Sequence, residues 1–304
     1  MDLNEWTPAR VRLDRPGGEV EWRYTGRRAF TEPFFWETLD AALRSPFSLL
    51  FPRRLPLDLL AAVEPGLEPN GFVFHVSRCG STAVAQMLAA SPLNLVVSEP
   101  PPLDALLRAP DEHRRWLRSL VSALGRPRTG RERRFVVKLD SWSILEHATL
   151  RAAFPQTPWI VLYRDPLEVV CSHLRHLGAH AVPGELPPEL FGIRREELPS
   201  LELVEYVARV IGSLFDAALA AGPEGGRFVD HRDLAEFVRD ELPAHFGLDV
   251  DEGEREAMRL AGLRDGKNPA LPFEPRDDAA RAGPGVREAV ERWTRPQYER
   301  IRSR

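Results

Sequence analysis

Phe72-Val73-Phe74-His75-Val76-Ser77-Arg78-Cys79-Gly80-Ser81-Thr82-Ala83-Val84-Ala85-Gln86-Met87-Leu88 reads as a strand, a tight polar turn and an apolar helix in immediate succession. The run Phe72 to Val76 carries aromatic and β-branched residues and no acidic or basic chain apart from a histidine, as a strand covered on both faces requires. Val84, Met87 and Leu88 then recur at helical spacing. Backbone N–H groups at such a helix start lack partners within the helix and carry partial positive charge. Gly80 permits close backbone approach, the Ser81 and Thr82 hydroxyls add donors, and Arg78 opens the loop with a cation. Together they have the chemistry of an anion cradle. The plainer alternative is that Ser77 caps the helix while Arg78 faces solvent.

Better-known phosphate loops do not fit. The Walker pattern G-x-x-x-x-G-K-[ST] fails because no lysine lies near, and G-x-G-x-x-G fails for want of glycines. A cysteine phosphatase needs an arginine six residues after its nucleophile, where Ala85 follows Cys79. A helix N-terminus can lower a thiol pKa, which would make Cys79 reactive without making it catalytic.

Outward from this unit, short apolar runs alternate with helical patterns. Strands are expected at 72–76, 95–97, 135–138, 159–163 and 227–230, with helices near 81–90, 113–124, 143–153 and 165–177. A longer helix carries Leu203, Val207, Val210, Ile211, Leu214, Phe215 and Ala218 on one face and stops at Gly222-Pro223. This alternation predicts an α/β fold, a parallel β-sheet of about five strands flanked by helices. No linker interrupts it, so residues 71–304 are expected to form one α/β domain, with 1–70 an N-terminal extension packed on it. Residues 1–32 read as irregular or short β, with a turn at Gly17-Gly18, and a helical pattern begins at Phe35. The Pro- and Gly-rich stretch 177–199 lacks periodicity and is a candidate lid or substrate loop. Val286, Ala289, Val290 and Trp293 make a last helix that Pro296 bends.

With 304 residues, 43% of them hydrophobic, the chain has material for a sizeable core and is not a disordered protein. Its 41 basic and 45 acidic side chains leave a formal charge of −4, which gives no support to nucleic acid or an anionic membrane as main partner. All the basic residues except Lys138 and Lys267 are arginine, a compositional drift against which two lysines stand out. Two cysteines make no disulfide framework, no Cys/His spacing suggests a metal, and neither a secretory signal nor a membrane span is legible. A cytoplasmic protein is expected.

A second motif lies at Trp159-Ile160-Val161-Leu162-Tyr163-Arg164-Asp165-Pro166, where a strand end leads into a helix bearing Ser172, eight positions after Arg164. Residues seven or eight apart nearly align on a helix, so Arg164 and Ser172 can converge on one anion. The alternative pairs Arg164 with Asp165 and buries Ser172. With Arg78-Cys79-Gly80-Ser81-Thr82, this arrangement resembles the sulfotransferase superfamily, which uses 3′-phosphoadenosine 5′-phosphosulfate (PAPS) on a P-loop NTPase-like fold. Cys79 departs from that family's usual serine. The resemblance spans roughly residues 70–235. It implies that Arg78, Cys79, Gly80, Ser81 and Thr82 hold the 5′-phosphosulfate, and that Arg164 and Ser172 hold the 3′-phosphate. Sulfuryl transfer would then leave 3′-phosphoadenosine 5′-phosphate (PAP) as the product nucleotide, with no metal required.

Glu99 ends the second strand, 21 positions after Arg78. In the tyrosylprotein branch of the family a glutamate at this spacing is the base. Strand carboxyl ends are also where open α/β sheets bind ligands. Its alternative roles are capping the helix after Pro102 or pairing with an arginine. Lys138 ends the third strand and resembles the family lysine beside the transferred sulfuryl group, where a compact ammonium suits a moving charge. Many members carry a histidine base two positions on. Here Asp140 stands there, as runner-up to Glu99 or as a helix cap. Lys267, in Arg264-Asp265-Gly266-Lys267-Asn268-Pro269, lies near the family's C-terminal nucleotide loop, though a solvated turn fits equally.

The resemblance therefore implies sulfuryl transfer to a hydroxyl or amine of an unidentified small-molecule or peptide acceptor, with Glu99, Lys138 and Arg78 catalytic. Two rivals remain: a phosphoryl-transfer enzyme with a degenerate phosphate loop, and a nucleotide-binding scaffold without turnover. His173, His176 and His180 spell H-x-x-H-x-x-x-H, but with Gly178 ending the helix they read as surface or lid histidines. Asp233 is expected to cap the helix after the last strand, and Trp142, Trp159 and Phe191 are aromatics able to stack on a ring or simply to pack.

Overall fold

The computed structural model describes residues 3–275 and 277–304. Among them eight strands form two sheets. β1 (Trp6–Arg12), β2 (Glu19–Tyr24) and β3 (Arg53–Pro56) are antiparallel in the order β1-β2-β3. β4 (Pro69–His75), β5 (Asn94–Ser98), β6 (Arg134–Lys138), β7 (Trp159–Tyr163) and β8 (Gly226–Asp230) are parallel in the order β5-β6-β4-β7-β8.

The near-continuous apolar strands follow from burial of both faces. Phe72, Phe74, Leu95, Val97, Phe135, Val137, Trp159 and Val161 enter one core, whereas Val73, Val96, Val136, Ile160 and Leu162 enter the other. The first core takes in the long helix Leu203–Ala220 and also Leu3, Trp6, Val11, Val20 and Trp22, so the N-terminal sheet shares apolar interior with the parallel one. The second is closed by the helices Ser81–Ala89, Leu234–Asp240 and Glu252–Gly262.

From β4 the chain moves toward β5, and from β7 it moves the opposite way to β8. The carboxyl ends of β4 and β7 therefore flank a topological switch point, the crevice in which open α/β sheets bind ligands. Arg78 and Arg164 follow these two strands. Parallel register aligns Lys138 with Val73 on one side and Ser98 on the other, which brings the ends of β5 and β6 to the same rim.

Several expectations change. The short β expected near the N-terminus is present as β1 and β2, with Trp6, Val11, Val20 and Trp22 turned inward over the shared core, and the expected turn at Gly17 and Gly18 has φ of 81° and 73°; the changes lie elsewhere. The helix expected over 113–124 is divided between Asp111–Arg114 and Leu117–Leu124, and a further helix, Pro101–Leu107, precedes them. The segment 143–153 begins as a 3₁₀ turn, Ser141–Glu146, before the helix His147–Ala153. The stretch 177–199 contains three short 3₁₀ turns and is anchored, since Ala181, Phe191 and Ile193 lie in the core. Trp159 and Phe191 are packing residues. Among the described residues no helix is long and apolar enough to cross a membrane.

Candidate active site

After β4 the backbone curls sharply: Ser77, Arg78 and Gly80 have φ of 71°, 53° and 88°. Left-handed conformation costs a non-glycine residue on the order of 1–3 kcal/mol, so Ser77 and Arg78 must be held there by their surroundings. Gly80 is the N-cap of the helix Ser81–Ala89 and supplies no side-chain cap, which leaves the first-turn N–H groups facing outward beside the buried Ser81 and Thr82. A Cβ on Gly80 would come within 2.6 Å of Leu234 and 3.1 Å of the His231 ring. Ser77 is thus not the helix cap; its hydroxyl lies 3.0 Å from His173 Nε2.

Cys79 does not behave as a reactive thiol. Its side chain is buried, its Sγ–H donates to the Leu162 carbonyl at 3.3 Å, and burial pushes its pKa up to about 12. The thiol points into the sheet, so only the Cys79 backbone is available to an anion. His231 Nδ1 lies 3.2 Å from its carbonyl.

At the neighbouring strand ends, Glu99 has a left-handed backbone, φ 55°, and its N–H donates to the Lys138 carbonyl at 2.7 Å. Lys138 Nζ donates to Glu99 Oε1, and His75 Nε2 lies 3.7 Å from the same oxygen. The pair replaces both alternative roles for Glu99. Burial alone would raise the Glu99 carboxyl, but the Lys138 charge, with His75 close by, outweighs it and holds the group well below the usual range. Lys138 Nζ also stands 5.2 Å from the Phe34 ring centroid, which brings the N-terminal extension to the site as an aromatic wall.

Asp140 makes no cap bond to the 3₁₀ turn it precedes. Burial, with Glu99 and Asp104 nearby, raises its carboxyl well above the ordinary range. Asp104 itself accepts from Trp142 Nε1 at 2.7 Å and pairs with Arg108 at 2.5 Å.

The second motif joins the first directly. Arg164 Nη1 donates to the Arg78 carbonyl at 3.3 Å. Arg164 also pairs with Glu168, whereas Asp165 caps the helix Pro166–Arg175 through Leu167 N–H and pairs with Arg295 at 2.9 Å. Ser172 is buried on that helix.

Lys267 reaches the same rim. Gly266 lies so close to the start of the loop helix that a Cβ would sit 2.7 Å from Ala83 N. Lys267 stands exposed at the edge of the cleft, where partial desolvation and the cations Arg78 and Lys138 bring its pKa down to about 8. A cavity of about 470 Å³ adjoins, with Cys171, Arg175, Asp278 and Val286 in its wall. Arg175 and Asp278 pair there, and both influence the ionisation of Arg78.

No protein-family model matches the chain, and no curated protein matches it in sequence. Among solved structures, one from Alicyclobacillus acidocaldarius is similar at 17% identity over 78% of this chain and 95% of that one, with a TM-score of 0.46. A domain from the curacin biosynthetic pathway is similar at 15% identity over 79% and 97%, TM-score 0.44. One from Mycobacterium avium is similar at 14% over 73% and 71%, TM-score 0.43. All three are sulfotransferases.

Relative to a sulfotransferase reading from sequence, the histidines are the main correction. His173 is fully buried and His180 nearly so, their rings edge-on at 4.9 Å, and only His176 is exposed. Burial lowers their pKa values to about 2 and about 3, so both are neutral. The spacing H-x-x-H-x-x-x-H was their visible signal, but the partners Ser77 and Ser141 lie far away in sequence. His75, His231 and Phe34 had no such signal. Asp230, not Asp233, supplies the hydrogen bond to the backbone after β8, accepting from Arg232 N–H at 3.0 Å.

Proposed function

We propose that this chain is a PAPS-dependent sulfotransferase, moving a sulfuryl group to a hydroxyl or amine of a small-molecule or peptide acceptor. The observation that carries the reading is the convergence of three cations, Arg78, Lys138 and Lys267, on one uncapped helix start. Burial and then repulsion by the other two cations depress Lys267, and a polyanionic nucleotide would relieve the repulsion. The residues thus suit PAPS: Arg78, Cys79, Gly80, Ser81 and Thr82 for its 5′ end, with Lys267 near Arg78, and Arg164 and Ser172 for its 3′-phosphate. When bound, PAPS supplies the sulfuryl group. Lys138 and Arg78 stabilise charge on the sulfuryl and bridging oxygens.

Glu99 takes the proton of the acceptor as it attacks in line with the leaving phosphate. Its affinity for that proton rises when an anion draws Lys138 away, since the lysine is what holds the carboxyl down. A second reading gives the proton to Asp140, whose side chain caps nothing and whose carboxyl is already raised.

Calorimetric titration with PAP and with adenosine 5′-phosphate tests the pocket. PAP is expected to bind at least about tenfold more tightly, and equal affinities would remove the reading. Transfer of labelled sulfate from PAPS into metabolite or peptide pools separates an enzyme from a silent scaffold. Tighter binding of magnesium-ATP than of PAP would favour the phosphoryl-transfer rival.

A further inference from the structure

We infer that His173 is a positioning residue for the anion loop, bracketing Ser77 and tying the loop to the segment that follows the helix Pro166–Arg175. The inference builds on the site reading above, but its geometry stands by itself. His173 and Ser77 are both buried, and His173 Nε2 lies 3.0 Å from Ser77 Oγ. Gly178 N–H points at His173 Nδ1 from 3.4 Å, which makes Nδ1 the acceptor and leaves the proton on Nε2, donated to the serine. The Ser77 backbone is gripped too: its N–H donates to His75 Nδ1 at 3.2 Å, while His75 Nε2 donates to the Leu139 carbonyl at 2.9 Å.

Two neutral imidazoles therefore hold one residue by its side chain and its backbone. That residue and the next occupy left-handed conformations without being glycine, which persist only where the surroundings over-determine them. The bracket continues outward. Arg78 Nη2 donates to the His176 carbonyl at 2.5 Å, one turn beyond His173. His180 packs edge-on to His173 and lies 3.5 Å from Ser141 Oγ. The placement of Arg78 is thus tied to the end of the helix that carries His173.

The test uses the whole chain with H173F, H173Q, S77A and the double variant H173F/S77A. PAP affinity is measured by calorimetry, and backbone hydrogen exchange over residues 76–84 is measured without ligand. H173F is expected to weaken PAP binding at least about tenfold and to speed exchange in the loop. S77A should do the same, and the double variant should lose no more than the worse single one, because both break one contact. H173Q, which keeps a donor near the Nε2 position, should recover most of the affinity. Unchanged affinity and exchange in H173F, or additive losses in the double variant, would overturn the inference. If H173F does not fold, S77A removes the same hydrogen bond with little loss of volume and decides alone. A wild-type chain that ignores PAP would remove the proposed function, while the exchange comparison would still decide the bracket.

Discussion

Lys138 and Glu99 form an ion pair across the ends of adjacent parallel strands, with 1% of the lysine side chain exposed but 22% of the glutamate. The cation is sealed from water by the sheet and Phe34, and the carboxylate faces the cleft. Such a pair contributes little net stability, because desolvation offsets attraction, yet removing one partner leaves a buried charge uncompensated. Under the proposed function an anion must draw the Lys138 ammonium out of this sealed position, and the acceptor proton goes to Glu99.

Glu99→Gln should therefore lower stability by up to about 3–5 kcal/mol, the cost of stranding a buried charge. Turnover should fall by roughly 10²–10⁴, the range for loss of a general base. PAP should still bind, and should raise the melting temperature more in the variant than in wild type, since its anions compensate Lys138. Thermal melts with and without PAP, alongside labelled transfer, check this. Normal turnover would shift the base to Asp140.

Lys138→Arg retains charge but replaces a compact ammonium with a planar fork that cannot enter the same sealed space. We expect kcat to fall by about 100-fold with PAP affinity changed less than about fivefold. A matching loss in both would assign Lys138 to nucleotide binding alone.

Lys267 gives a pH signature. Its pKa in the free protein is about 8, and a bound anion must raise it, so the complex holds more protons than the free protein above that pH. PAP affinity should therefore decline as pH rises through about 8. Lys267→Arg, charged throughout, should flatten this limb in a titration series from pH 7 to 9.5. A limb that survives the substitution would belong to another group.

Gly266→Ala would drive a Cβ to 2.7 Å from Ala83 N and 3.0 Å from Ala83 Cα, both backbone atoms that cannot swing aside. The loop carrying Lys267 must then move off the helix start, and PAP affinity should drop by about tenfold with only a modest change in melting temperature. Gly283→Ala, which meets nothing within 4 Å, is the control expected to change neither.

The parallel sheet was legible because its signals are local. Phe72–Val76 and Trp159–Tyr163 are uninterrupted apolar runs, and two-sided burial admits little else. The anion loop was legible for the same reason, since Arg78, Gly80, Ser81 and Thr82 are consecutive or nearly so. The N-terminal sheet was less so: β3 comes 28 residues after β2 ends, and helical turns intervene. Cys79 misled because proximity to a helix start predicts a low thiol pKa, whereas the direction of its side chain, into the sheet, produces a high one.

By itself, then, the sequence determined the parallel strands, the strand ends at which Glu99, Lys138 and Arg164 stand, and the polar turn between β4 and its helix. Periodicity and backbone propensity act over a few residues and are written in consecutive letters. Only the tertiary structure decided what those groups meet. It set Gly266 against Ala83, so that Lys267 joins Arg78 and Lys138, and it brought His173 to Ser77 across 96 positions. It also paired Arg164 with Glu168 and the Arg78 carbonyl rather than with Asp165, the alternative its sequence neighbours offered. Buried polar groups must find partners, and which partner is within 3 Å is a property of how helices and loops close over the sheet.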